Sequence, residues 1–199
     1  MFIKIIYIFI VYIITSIPFA YIFSKSINKV DIRTLGSKNI GATNAFRTAG
    51  YIAGILTLVF DIFKGWLSIY FAKKYIDSSF IYITGIIFVA IIGHIFSIFI
   101  KFKGGKGVAV SLGLLIPLLH YLPLLISIFI FVLIFIMFNY VSLSSIIAAI
   151  SLPFTLILLK YQIKYIIVVF LIVSIIIYKH KNNIIDIIKK RRERDSNPR

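Results

Sequence analysis

Three short polar segments interrupt an otherwise apolar chain, and each carries the residue types that hold phosphate. The first runs from Asp31 to Arg47, with Gly36-Ser37-Lys38-Asn39-Ile40-Gly41-Ala42-Thr43-Asn44 at its centre. The second is Lys101-Phe102-Lys103-Gly104-Gly105-Lys106-Gly107 and the third His180-Lys181-Asn182-Asn183. Glycines expose backbone N–H groups in tight turns. An arginine fork grips a phosphate through two parallel bonds, and a lysine adds a point charge. Cysteine is absent, which excludes thiolate nucleophiles, disulfides and Cys-type metal sites. The three histidines, at 94, 120 and 180, have no ligand spacing between them, so neither a metal nor another cofactor is expected.

In the first segment Gly36 and Gly41 allow tight turns, and Ser37, Asn39, Thr43 and Asn44 supply short hydrogen-bonding side chains. Thr43 or Asn44 is placed to cap the second membrane helix, whose N-terminus attracts anions. Arg47 then falls in that helix's first turn, against the macrodipole, a conflict a bound anion relieves. The spacing Gly36-x4-Gly41-Ala42-Thr43 imitates a nucleotide-binding loop, but Ala replaces the required Lys and no strand precedes it. In the second segment three glycines around Lys106 predict a backbone nest for an oxyanion with a charge at its centre. Read singly, each segment also fits an ordinary polar loop; the glycines flanking Lys106 have no topogenic role and favour a site.

These segments need elements that bring them to one face. The chain has 199 residues, 61% of them hydrophobic, and a mean hydropathy of +1.06. A soluble domain is about 45–50% apolar. Apolar segments lie at 2–24, 49–72, 79–100, 107–120, 122–138, 141–159 and 162–178, with the cuts near 120 and 140 the weakest. The expected fold is all-α, a polytopic transmembrane helix bundle with seven spans in a single domain, 1–199. The first segment is long for a signal peptide and lacks a clear small-x-small cleavage site. With the N-terminus outside and the C-terminus inside, 16 of the 22 Lys and Arg residues reach the cytoplasm and 5 the outside, Lys64 lying within a span. All three polar segments then face the cytoplasm. The net charge of +16 is read as membrane orientation and anion holding, with no nucleic acid as partner. The tail at 179–199 is a cytoplasmic basic cluster with Ile184, Ile185, Ile187 and Ile188 on one face, expected as an interfacial helix with a disordered end at 195–199.

Asp61 and Lys64 stand i, i+3 within a span and are read chiefly as a structural pair. His94 lies about 10 Å inside its helix end, as a packing residue, a base or a phosphate donor. His120 is read as interfacial at the opposite face. His180 and Asn183 are i, i+3 at the cytoplasmic end of the last span, placed either to anchor it or to enter the polar pocket.

Several stretches, in order, resemble the bacterial glycerol-3-phosphate acyltransferases that use acyl-phosphate donors. They are Ser16-Ile17-Pro18-Phe19, Asp31-Ile32-Arg33, Gly36-Ser37-x-Asn39-Ile40-Gly41-Ala42-Thr43-Asn44 with Arg47, and Asp61-x-x-Lys64-Gly65. Gly93-His94-x-Phe96, Phe102-Lys103-Gly104-Gly105-Lys106-Gly107-Val108-Ala109, Tyr140-Val141-Ser142-Leu143 and His180-Lys181-x-Asn183-Ile184 complete them. The resemblance implies an inner-membrane enzyme with seven helices, N-out and C-in, and its active site at the cytoplasmic face. It implies acyl transfer from acyl phosphate to the first hydroxyl of glycerol 3-phosphate, giving lysophosphatidic acid and phosphate without coenzyme A, carrier protein or metal. Two positions depart from the family pattern: Lys38 where glycine is usual and Ser97 where proline is usual. They bear on affinity and rate more than on reaction type.

On this reading Arg47, Lys106, His180 and Asn183 hold glycerol 3-phosphate. Ser37, Asn39, Gly41, Thr43 and Asn44 hold the acyl-phosphate phosphoryl group, and Gly104 and Gly105 lend amides. Ser37 lacks a His–carboxylate pair in sequence to activate it as a nucleophile. Direct attack by the substrate hydroxyl is expected, a substrate phosphate oxygen taking the proton, with His94 and His180 as the next bases. The competing class is a transporter of phosphate-bearing metabolites or lipids, which would usually place its site at midplane on broken helices in repeated halves. Membrane lipids are the remaining partners expected.

Overall fold

The computed structural model describes residues 1–196. Among them there is no strand, and the polytopic all-α expectation holds. Five stretches among the described residues are long and apolar enough to cross a membrane: Phe2–Asn28, Ala42–Ile76, Phe80–Ile100, Tyr121–Phe138 and Val141–Leu158. Ile163–Lys179 with Lys181–Ile187 makes a sixth if that pair, bent by 58°, is one span. The segment expected at 107–120 differs. It forms only the eight-residue helix Val108–Leu115 before breaking into turns near Pro117. Eight residues reach about 12 Å, well short of a bilayer core of about 30 Å.

The chain divides into two compact units, Met1–Tyr121 and a second that begins at Leu122. The division falls at the weak boundary near 120. In the first unit, the apolar stretch expected to run unbroken over 2–24 is two helices, α1 (Phe2–Ser16) and α2 (Phe19–Asn28). Pro18 lacks an N–H and breaks the ladder between them. Helix α3 (Ala42–Phe71) is interrupted at Gly50, whose φ of 83° and ψ of 175° only glycine adopts readily. Residues 42–49 are therefore a separate short helix. Residues 51–71 run about 31 Å, enough to span the bilayer core. The onset expected at 49 coincides with this break.

Helix α4 (Phe80–Ile95) ends in a 3₁₀ turn, Ile98–Ile100, before α5 (Val108–Leu115). Helices α3 and α5 meet through glycines. A Cβ at Gly113 would stand 1.9 Å from the Ile62 carbonyl oxygen, and one at Gly65 2.4 Å from that of Val110. Where no water is expelled, such close backbone approach supplies the packing. Helices α1 and α4 are joined by the Ser16 hydroxyl, which donates to the Gly93 carbonyl at 3.1 Å.

The second unit holds most of α6 (Tyr121–Phe138), then α7 (Val141–Leu158), α8 (Ile163–Lys179) and α9 (Lys181–Ser196). The Ser127 hydroxyl of α6 donates to the Ala148 carbonyl of α7 at 2.6 Å. The helix expected in the basic tail is α9, and it continues to Ser196 rather than fraying at 195. The expected disorder of 197–199 lies outside the described residues.

Candidate active site

The loop between α2 and α3 is pinned at both ends. Ile32 and Ile40 are buried with Ala20, Ala45 and Ile100 in one apolar cluster. Between them, Asn44 acts as a clasp. Its Oδ1 accepts from the Ser37 amide at 3.0 Å, and its Nδ2 donates to the Ile32 and Leu35 carbonyls at 3.2 and 3.1 Å. Asn44 is 1% exposed and supports the loop instead of capping α3. Gly41 holds the cap position, with no side-chain cap bond from Thr43 or any other residue. Gly36 has φ 58°, and a Cβ there would stand 2.3 Å from Asn44 Oδ1, which explains why glycine precedes this clasp. The amides of Ser37, Lys38 and Gly41 are used inside the loop. What the loop presents outward is side chains: Ser37 and Thr43 are exposed and Asn39 half-buried.

Asp31 grips Arg33 through Nη2 at 2.7 Å and Nε at 2.9 Å, and the Arg33 guanidinium lies 4.5 Å from the centre of the Tyr21 ring. The Arg33 hydrogen bonds hold the Asp31 carboxyl down at about 2, which removes it as a base. Lys38 adopts a left-handed φ of 56°. A side chain there costs about 1–2 kcal/mol, so Lys38→Gly should raise stability by roughly 1 kcal/mol after the entropy of the added glycine. Thermal unfolding in lipid checks this; an unchanged or lower midpoint contradicts it.

Arg47 is exposed, but it does not stand in the first turn of a long helix. The break at Gly50 leaves it in the last turn of the 42–49 helix. Its charge therefore agrees with the helix dipole instead of opposing it.

The glycine segment also differs from the expected nest. The Gly104 amide donates to the Ile95 carbonyl at 2.9 Å and the Gly105 amide to that of His94 at 3.3 Å. Both are turned onto the C-terminal end of α4, whose last carbonyls have no helical partner. A Cβ at Gly104 would lie 2.0 Å from the His94 carbonyl oxygen, and one at Gly105 2.4 Å from His94 Nε2 and 2.7 Å from the Ile40 carbonyl oxygen. The two glycines are there for close approach, which brings the Lys106 segment down onto α4 and the 31–41 loop. Lys106 is partly buried, and that burial pushes its ammonium down to about 8.

Beneath these loops is a narrow cleft, lined among others by Ile17, Phe19, Ile40, Ser97, Gly104 and Gly105. Asp61, Lys64 and His94 also line it. Lys64 Nζ stands 2.7 Å from Asp61 Oδ1 and donates to the Ile17 carbonyl at 2.9 Å. His94 Nδ1 lies 3.8 Å from the same Asp61 oxygen. The pair read from sequence thus has a third member, and the Ile17-Pro18 break supplies the acceptor. A proline inside an apolar span was the only sequence signal for that break. Ser97, where proline is usual, is 1% exposed and its hydroxyl donates to the Ser16 carbonyl.

His180 and Asn183 belong to the second unit. His180 is the buried C-cap of α8, its Nδ1 2.8 Å from the Ile176 carbonyl oxygen. Asn183 follows in the first turn of α9, half-buried.

The chain matches the model of the family described as "Glycerol-3-phosphate acyltransferase" over residues 5–190. It is 50% identical over 190 residues to a glycerol-3-phosphate acyltransferase of Endomicrobium trichonymphae, covering 96% of this chain and 94% of that one. It is 40% identical over 181 residues to one of Fusobacterium nucleatum, covering 89% and 91%. Its fold is similar to the crystal structure of PlsY (YgiH), an integral membrane glycerol 3-phosphate acyltransferase, in its glycerol 3-phosphate form. The TM-score is 0.86 at 33% identity, covering 94% of this chain and 93% of that one. The lysophosphatidic acid form gives a TM-score of 0.84 at 32% identity, with the same coverage.

Proposed function

Since the chain belongs to the glycerol-3-phosphate acyltransferase family, we propose that it transfers a fatty acyl group from acyl phosphate to the first hydroxyl of glycerol 3-phosphate. The products are lysophosphatidic acid and inorganic phosphate, and this is the entry step of phospholipid synthesis. The observation that carries the reading is the convergence of the Ser37–Asn44 loop and the Lys106 loop, where Ile40 and Gly105 touch above a polar cleft.

The reacting groups are two anions, and the acyl phosphate already holds a good leaving group. The protein's part is to hold them in line and offset charge, without a covalent acyl-enzyme. The glycerol hydroxyl oxygen attacks the acyl carbonyl carbon. The ester C–O bond forms, the C–O bond of the anhydride breaks, and inorganic phosphate leaves. The hydroxyl proton passes to a substrate phosphate oxygen. Arg47 and Lys106 pair the phosphate of glycerol 3-phosphate. Ser37, Asn39 and Thr43 hold the acyl-phosphate phosphoryl group, with Gly41 and Asn44 shaping the loop around it. Gly104 and Gly105 place Lys106. His94, packed between Asp61 and Gly105, serves by position and not as the base.

The chain acts as one acyltransferase domain, since the family match spans both units. It lies in the bacterial inner membrane with its N-terminus outside, its C-terminus inside and the site facing the cytoplasm. The loop charges support that orientation.

The test is phosphate release by purified protein in lipid, given long-chain acyl phosphate with and without glycerol 3-phosphate. Release that depends on glycerol 3-phosphate and yields lysophosphatidic acid is expected. Uptake into vesicles without transfer would replace this reading with transport. The Lys106 ammonium adds a pH dependence. It is charged below about 8 in the free enzyme and loses its charge as pH rises. The value of kcat/KM should therefore fall about tenfold per pH unit above that point. In Lys106→Arg, whose guanidinium does not titrate there, the plateau should extend higher; an identical alkaline limb would remove Lys106 from the site.

A further inference from the structure

Asp61 and Lys64 are each 3% exposed within a span, and the reaction as derived uses neither. As a stabilising device such a pair is weak, because desolvation offsets the attraction and apolar replacements are often neutral or better. Its placement suggests another role. Lys64 reaches the Ile17 carbonyl at the break between α1 and α2. Asp61 faces His94. The His94 ring lies under Gly105, and its carbonyl receives the Gly105 amide. Ser97 and Ser16 tie the same helix end to α1.

We infer that Asp61, Lys64 and His94 form a positioning group that fixes the Gly104–Gly105 loop, and with it Lys106, against the end of α4. Lys64 anchors the group to the α1–α2 break, Asp61 bridges, and His94 is the surface on which the loop rests. The group touches no substrate. Its effect on catalysis rests on the functional reading above, through the phosphate that Lys106 pairs; its effect on the loop does not.

The experiment compares the full chain in lipid as wild type, Asp61→Asn with Lys64→Met, His94→Leu and Lys64→Arg. The double change removes both charges together and so strands neither. Hydrogen exchange at residues 102–107 should quicken by about tenfold or more in the double variant and in His94→Leu, with protection of the 51–71 helix unchanged. KM for glycerol 3-phosphate should rise about tenfold while kcat changes by less than about threefold. Lys64→Arg, which keeps a charge and a donor, should behave as wild type in both. Unchanged exchange at 102–107, or exchange that quickens equally throughout the first unit, overturns the inference. If the double variant does not fold, His94→Leu gives the same readout with the ion pair intact. A wild type that makes no lysophosphatidic acid, alongside a loop that loosens as stated, leaves the positioning group standing and defeats the functional reading instead.

Discussion

Lys106→Ala lowers kcat/KM for glycerol 3-phosphate by about 30-fold to several thousand-fold, the equivalent of roughly 2–5 kcal/mol for truncating a desolvated cation that pairs a phosphate. The upper part of that range applies because Lys106 is partly buried, so water does not replace the lost charge. Arg47→Ala falls in the lower part, since Arg47 is exposed and its pairing is screened. The measurement is lysophosphatidic acid formation against glycerol 3-phosphate concentration, with thermal unfolding to establish that each variant is folded. A folded Lys106→Ala enzyme with kinetics within twofold of wild type would exclude this lysine from substrate binding.

Gly104→Ala damages both structure and activity. The added Cβ meets the His94 and Ile95 carbonyl oxygens at 2.0 and 2.8 Å, and these are backbone atoms that cannot swing aside. The loop must lift, breaking the Gly104 and Gly105 amide bonds to α4. Each buried group left unsatisfied costs about 1–3 kcal/mol, and a shift of Lys106 by about 1 Å costs about a hundredfold in rate. Gly85→Ala is the control. Nothing lies within 4 Å of a Cβ there, in the middle of α4. It should gain about 0.5–1 kcal/mol. An oxyanion nest at 104–105 predicts the opposite pattern for Gly104→Ala: weakened phosphate binding with stability retained.

Much of the site is visible in the sequence as composition. Glycines, short polar side chains and single cations are gathered in short segments of an otherwise apolar chain. The onset of the 51–71 span was legible because apolarity begins there. Direction was not legible. Spacing identifies Gly104 and Gly105 as glycines, but whether their amides face a ligand or the end of α4 depends on where that helix stops. Asn44 has the chemistry of a cap, yet the chain before it folds back and takes all its hydrogen bonds. The length of α5 was overestimated because hydropathy measures apolarity, and residues 116–119 remain apolar after the helix ends. The contact of His94 with Asp61 joins positions distant in sequence and belongs to tertiary packing alone.

The break at Gly50 has a mechanical meaning. Bilayers differ in thickness by several ångströms, and a spanning helix answers by tilting. If 42–71 were one straight rod, every degree of tilt would swing Arg47 through an arc at its far end. With a hinge at Gly50, the 51–71 rod leans with the lipid while the 42–49 helix keeps its seat, through Ala45, on Ala20, Ile32, Ile40 and Ile100. Turnover should therefore depend little on acyl-chain length of the host bilayer, for reasons of leverage and not of chemistry.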